Sequence, residues 1–227
     1  MLRKVFSVLC ILTFLIALGN NTAFAERLGS KNKVAVLLDA PTGMFSEPEK
    51  VYKNFQKTLE DILKGSSHFD IIPITETDAY LQIYREENDL ISEMSSEGFY
   101  NEKPLKKDDI NNICQYFNSD YLIYARVSST VPTVSSGFFS ASQNVNVTLD
   151  FRVWSNNKQD FSYMKRTTNK GTSTAIYAGI GSASKALEDG LKKGLKEVNK
   201  DNKKVREALM GVESTHTPSI NSDTSQE

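Results

Sequence analysis

The stretch "NVNVTLDFRVW", Asn144 to Trp154, decides the architecture. Val145, Val147, Leu149, Phe151 and Val153 alternate strictly with Asn144, Asn146, Thr148, Asp150 and Arg152. A period of two with one apolar and one polar set marks a strand that lays one face on a core and the other in water. After it, "SNNKQD" (155–160) is a turn-rich connection, and "FSYMKRTTNKG" (161–171) returns as an antiparallel partner. Before it, "DYLIYARV" (120–127) reads as another strand. The connection between those two strands is "TVPTVSSGFFSASQ" (130–143), which sets Phe138 and Phe139 side by side among small polar residues, with Val134 close by.

Upstream the period changes. "KVAVLLDA" (33–40) is a continuous apolar run of strand length, as in a strand buried on both faces. Ser46 and Glu49 stand at capping-box spacing and Pro48 falls in the first turn, so a helix follows, with Val51, Phe55, Leu59, Ile62 and Leu63 on one face and Gly65 ending it. "FDIIPI" (69–74) is a second strand. Thr75 and Asp78 suggest a new helix start over 75–94, carrying Tyr80, Tyr84 and Ile91 on one side. A polar connection leads to "INNICQYF" (110–117), where Ile110, Ile113, Cys114 and Phe117 share a helical face. The closing helix, from about Ala178 to Lys200, buries Ile180, Ala183, Leu187, Leu191, Leu195 and Val198. The expected fold is α+β, a mixed α/β sandwich whose sheet of about five strands carries helices packed against it. Its order is strand, helix, strand, helix, helix, three strands, helix. One domain is expected over 33–208, after a linker at 26–32 and before a disordered tail at 209–227, which has too few apolar groups to offset the entropy of ordering.

The first residues address the compartment. "MLRK" is a positive start, "VFSVLCILTFLIAL" an apolar run, and Ala23 and Ala25 supply the small residues before a cleavage point. This is the layout of a secretory signal peptide over 1–25. Its removal takes Arg3 and Lys4, leaving 27 − 2 = 25 basic residues against 28 acidic, a net charge of −3. That balance excludes nucleic acid as the natural partner. Cys10 leaves with the leader, and Cys114 by itself makes no internal disulfide. No later stretch is apolar enough to span a bilayer.

Four stretches carry a family resemblance: "KVAVLLDAP" (33–41), "ICQYFNSDYLIYARV" (113–127), "VNVTLDFRVWSNNKQDF" (145–161) and "GIGSASKALEDGLKKGLKEV" (179–198). Together they resemble the small periplasmic α/β domain of curli secretion-channel subunits, of lipoprotein activators of penicillin-binding proteins, and of the N-terminus of the Tol-system translocation protein B. The resemblance implies a mixed sheet and action through protein contacts in the bacterial envelope. It brings no functional residue with it. The curli and activator proteins are lipoproteins, whereas this chain lacks the acylated cysteine, so no lipid anchor is expected.

The residues offer little chemistry. His68 and His216 form no pair and Cys114 belongs to a core face, so no metal set is expected. There is no G-x-S-x-G elbow and no P-loop; "GIGSAS" (179–184) has Ser184 where a dinucleotide fingerprint needs its third glycine. It reads better as a helix entry lying close to the sheet. Asp39, ending the first strand, and Asp150 are carboxylates without an assignable partner. No catalytic residue, metal or cofactor is therefore expected. The leading expectation is a non-catalytic interaction and assembly module, periplasmic or secreted, that binds an envelope protein or a second copy through Phe138, Phe139 and Val134. Those two rings have a rival use, capping the domain's own core. A small-ligand or glycan binder using Asp39 and the start of the last helix is the alternative, and a hydrolase using Asp39 or Asp150 the third reading.

Overall fold

In the computed structural model, residues 31–41, 43–63, 68–91, 102–137, 140–176 and 181–211 are described. Ala23, Ala25, Phe138 and Phe139 lie outside them. The elements run β1 (Asn32–Asp39), α1 (Pro48–Leu63), β2 (Phe69–Ile71), α2 (Ile74–Glu87), α3 (Lys107–Tyr116), β3 (Tyr121–Ser129), β4 (Thr133–Ser136), β5 (Ser140–Ser155), β6 (Asp160–Ile176), α4 (Ala183–Lys200) and α5 (Asn202–Leu209). They build one six-stranded mixed sheet with helices packed against it, the α+β architecture expected. β2 and β3 flank β1 in parallel, β5 runs antiparallel to β3, and β6 runs antiparallel along the other side of β5.

The strict alternation of β5 is explained by the layer beneath it. Val145, Val147, Leu149, Phe151 and Val153 are buried against Leu187, Leu191, Leu195 and Val198 of α4, in a core that also takes Val51, Phe55, Leu59 and Ile62 of α1 and Val205 of α5. The opposite face of the sheet carries a second core. Ala35, Leu37, Leu122, Tyr124 and Trp154 meet Leu81 and Tyr84 of α2 and Ile110, Ile113 and Cys114 of α3. β1 is buried on both faces because helices cover both, as its unbroken apolar run implies.

That second helical layer is shorter than the sheet. It covers β1, β3 and the Trp154 end of β5, while the outer face of the β5–β6 hairpin is lined by hydroxyls and amides. Thr148 pairs with Thr168 (2.9 Å), Ser142 with Thr174 (2.7 Å), and Thr172 donates to Asn144 (3.0 Å).

The segment read as a loop over 130–143 is mostly strand. β4 pairs with β5 from Thr133↔Asn144 to Ser136↔Ala141, continuing along β5 the line that β3 begins, and β5 itself starts at Ser140. The late strands therefore number four rather than three. Apolar alternation reports burial, not pairing; where the sheet runs past the core, paired residues can all be small and polar. Three helix boundaries also differ from their sequence signals. Thr75 and Asp78 do not cap α2, whose N-cap is Pro73; the helix ends at Glu87, before Ile91. Ser46 bonds to Ser184 (2.9 Å) instead of capping α1. The end of the closing helix at Lys200 agrees with its sequence signal, and a break at Asp201 separates this helix, α4, from the further helix α5.

The break is pinned by two side chains of β6. Lys165 donates to the Glu197 carbonyl (2.6 Å) and to Asp201 Oδ2 (2.8 Å), and the Tyr163 hydroxyl donates to the same oxygen (3.1 Å). The hydrogen bond from Lys165 holds the Asp201 carboxyl below its ordinary 3.8. A depressed folded-state pKa adds stability above the unfolded value, lost as pH falls through the folded one. Asp201→Asn is thus expected to cost up to about 1 kcal/mol near neutral pH. It should also flatten the acid-side loss of thermal stability below pH 3.8, read by circular dichroism melts.

β6 is an edge strand 17 residues long, and α4 guards it. The backbone N–H of Thr172 donates to Asp189 Oδ2 (3.1 Å), and Lys193 Nζ donates to the Lys170 carbonyl (2.8 Å). The two helix residues are themselves an ion pair one turn apart (2.7 Å). α4 also lies very near the strand: a Cβ on Gly171 would stand 1.8 Å from the Ala186 carbonyl oxygen and 2.8 Å from the Gly190 nitrogen.

Candidate functional site

The C-terminal ends of β1 and β3 form the place where open α/β sheets commonly take ligands. Asp39 sits there and is 3% exposed. Arg85 of α2, fully buried, donates through Nη2 to Asp39 Oδ1 (2.6 Å), and the Tyr124 hydroxyl donates to Oδ2 (2.5 Å). Arg85 Nη1 donates to the Lys103 carbonyl (2.9 Å), and its Nε faces Glu102 Oε2 at 3.5 Å. Burial first, and the charge of Asp39 second, push the Tyr124 phenol above its ordinary value. Both Asp39 oxygens thus accept from the protein's own donors. The cluster holds α2 to the sheet rather than presenting a base or an open ligand group.

Asp150 lies in the same cross-strand row, with Arg126 in register with both aspartates. It too is engaged: Arg152 Nε donates to Asp150 Oδ1 (2.9 Å) and Nη2 to Oδ2. The structure brings the two sequence-flagged carboxylates onto one face, and each already holds a guanidinium. Cys114 is fully buried; burial pushes its thiol up to about 11, and its Sγ lies 3.2 Å from the Ser119 carbonyl. A thiol so placed is not nucleophilic at neutral pH. Within "GIGSAS", Ser182 caps α4 by accepting from the Lys185 N–H, and a Cβ on Gly181 would stand 1.8 Å from the Ser173 carbonyl oxygen. This is the close helix entry read from the sequence. Among the described residues, no group of three His, Cys, Asp or Glu side chains could hold a metal ion, and no helix is long and apolar enough to cross a membrane.

Two surfaces remain. One is the β4 ribbon, all four residues of which are exposed, Val134 at 59%. Gly137 N–H bonds to the Ser140 carbonyl (2.7 Å) and closes β4 onto β5 around Phe138 and Phe139 in the sequence. The other was not singled out in the sequence. Tyr80 of α2 stacks on Tyr116 of α3 with ring centres 3.7 Å apart, and Phe117 meets Tyr80 edge-on at 5.3 Å. Tyr116 is 63% exposed and Ile83, one turn beyond Tyr80, 52% exposed. Helical spacing could have paired Tyr80 with Ile83, but only the tertiary fold brings Tyr116 beside them.

No protein-family model and no curated protein matches this chain. Solved structures similar to it include the hypothetical protein CT253 from Chlamydia trachomatis, at 9% identity over 80% of this chain and 99% of that one, TM-score 0.38. The LpoB C-terminal domain from Escherichia coli is similar at 12% identity over 63% of this chain and 90% of that one, TM-score 0.29. TolB from Acinetobacter baumannii is similar at 10% identity over 82% of this chain and 30% of that one, TM-score 0.32. The Tol protein named in the sequence resemblance is thus among the structural neighbours, and the relation is remote.

Proposed function

We propose that this protein is an exported, non-catalytic interaction and assembly module of the bacterial cell envelope, working in the periplasm or outside the cell by binding another envelope protein. The observation that carries the reading is the β4 ribbon. It is a hydrogen-bonded strand whose four residues are all exposed, so it gains little by burial within its own chain. Such a strand can gain burial by seating a partner. Phe138 and Phe139, which the sequence places between the paired residues Gly137 and Ser140, are the proposed anchors beside Val134. Each ring buried at a contact would contribute about 1.5–3 kcal/mol by area. The leader sequence at 1–25 supports export, and the engagement of Asp39 and Asp150 by arginines supports binding over bond-breaking chemistry.

A photo-crosslinker placed at Val134 in living cells tests the proposal. The expected result is a discrete adduct with one envelope protein, lost in Phe138→Ser/Phe139→Ser while the thermal transition of the purified domain stays where it was. An adduct pattern indifferent to the double substitution would return the two rings to capping their own core.

A further inference from the structure

We infer that the outer surface of α2 and α3 docks a cationic segment of a partner protein, one with arginine or lysine set beside apolar side chains. This rests on the interaction-module reading only for the existence of a partner; the surface itself is separate from the β4 ribbon. Glu76, Tyr80, Ile83 and Glu87 recur at i, i+4, i+7 and i+11 and so form one stripe of α2. Asp108, Asn112 and Tyr116 form the matching stripe of α3. The helices are locked side by side by the Tyr80–Tyr116 stack at one end. At the other, the Tyr84 hydroxyl donates to Asp109 Oδ1 (2.9 Å) and accepts from Asn112 Nδ2 (3.3 Å).

Both helices already bury their other faces, through Leu81 and Tyr84 and through Ile110, Ile113 and Cys114. Tyr116 and Ile83 are therefore surplus to the core, a rigid apolar platform in water. Its border is acidic. Glu76, Glu87 and Asp108 are exposed and make no ion pair among the described residues. Several neighbouring bases are turned to other acids: Arg85 to buried Asp39, Lys103 to Asp89, Lys107 to Asp160, which leaves Lys106 at the start of α3. Tyrosine faces attract cations, and carboxylates around an apolar centre select a positive partner while repelling a negative one. The same border disfavours an anionic membrane or nucleic acid. It also disfavours a second copy, which would set carboxylates against carboxylates.

The probe is a fluorescently labelled synthetic peptide repeating Arg-Leu-Ser, titrated into the purified exported domain. Two controls replace arginine by glutamate or leucine by serine. Saturable binding of the Arg-Leu-Ser peptide is expected, weakening as salt is raised. It should be roughly tenfold weaker in Tyr116→Ser and in Ile83→Ser, and lost in Glu87→Lys. Melting should be unchanged in Ile83→Ser and Glu87→Lys, whose side chains are exposed, and slightly lower in Tyr116→Ser, which gives up its stack on Tyr80. No binding, equal binding by the serine control, or equal binding by Tyr116→Ser and Ile83→Ser would overturn the inference, the last two showing only diffuse charge attraction. Concentration-dependent sedimentation abolished by Tyr116→Ser would overturn it in favour of a second copy. If the Val134 adduct in cells survives Tyr116→Ser and the peptide fails to bind, this site falls and the interaction-module reading stands.

Discussion

Gly171→Val is expected to leave no cooperative thermal transition, and Gly171→Ala to lower the melting temperature far more than a methyl group normally does. Gly171 is buried in β6 beneath α4, and any Cβ there would meet backbone: the Ala186 carbonyl oxygen at 1.8 Å, its carbon at 2.8 Å and the Gly190 nitrogen at 2.8 Å. A flexible side chain could swing aside, but a helix backbone can only move as a body. Lifting α4 would open the core in which Leu187, Leu191, Leu195 and Val198 cover Val147 and Leu149. Ordinary overpacking costs about 1–3 kcal/mol. Here the cost for valine should exceed about 4 kcal/mol, in the range reserved for lesions of this kind. Urea denaturation checks it, and a Gly171→Ala protein with wild-type stability would show that the helix does not sit on the strand as described.

The second large effect is expected at Arg85. Arg85→Met removes the cation from buried Asp39 and leaves that carboxylate facing a buried gap. Removing one member of a buried pair typically costs about 3–5 kcal/mol, because the partner remains charged and unpaired. Asp39→Asn/Arg85→Met should recover a large part of that loss, since the amide still accepts from Tyr124 and carries no charge. If the single and double variants unfold at the same urea concentration, the cluster does not hold α2 to β1.

How much of this was legible beforehand depended on whether burial left a pattern. β1 and β5 were readable because both sit on a core and their apolar residues show it, continuous in one and alternating in the other. β4 and Ser140–Gln143 were not, because they pair beyond the reach of the helices and their Ser, Thr and Asn residues look like loop. Cys114 fell on a core face by spacing and is fully buried there. Arg85 stayed hidden within the charged run "REEND", where nothing marks which charge turns inward. Tyr124 was hidden by its strand, since a buried tyrosine in an apolar run shows no sign of the carboxylate its hydroxyl will seek. Thr75 and Asp78 gave a cap signal that the fold uses otherwise. Asp78 instead accepts a hydrogen bond from Tyr52, and burial raises its carboxyl above the ordinary value although that bond pulls the other way.

The guard that α4 mounts on β6 reaches beyond the single molecule. An outermost strand of 17 residues is a template on which other chains can stack without limit. Asp189 and Lys193 occupy a donor and an acceptor of that template at Thr172 and Lys170, doing with two side chains what a neighbouring strand would otherwise do. The longest border of the sheet is thereby closed to an incoming strand at those two positions.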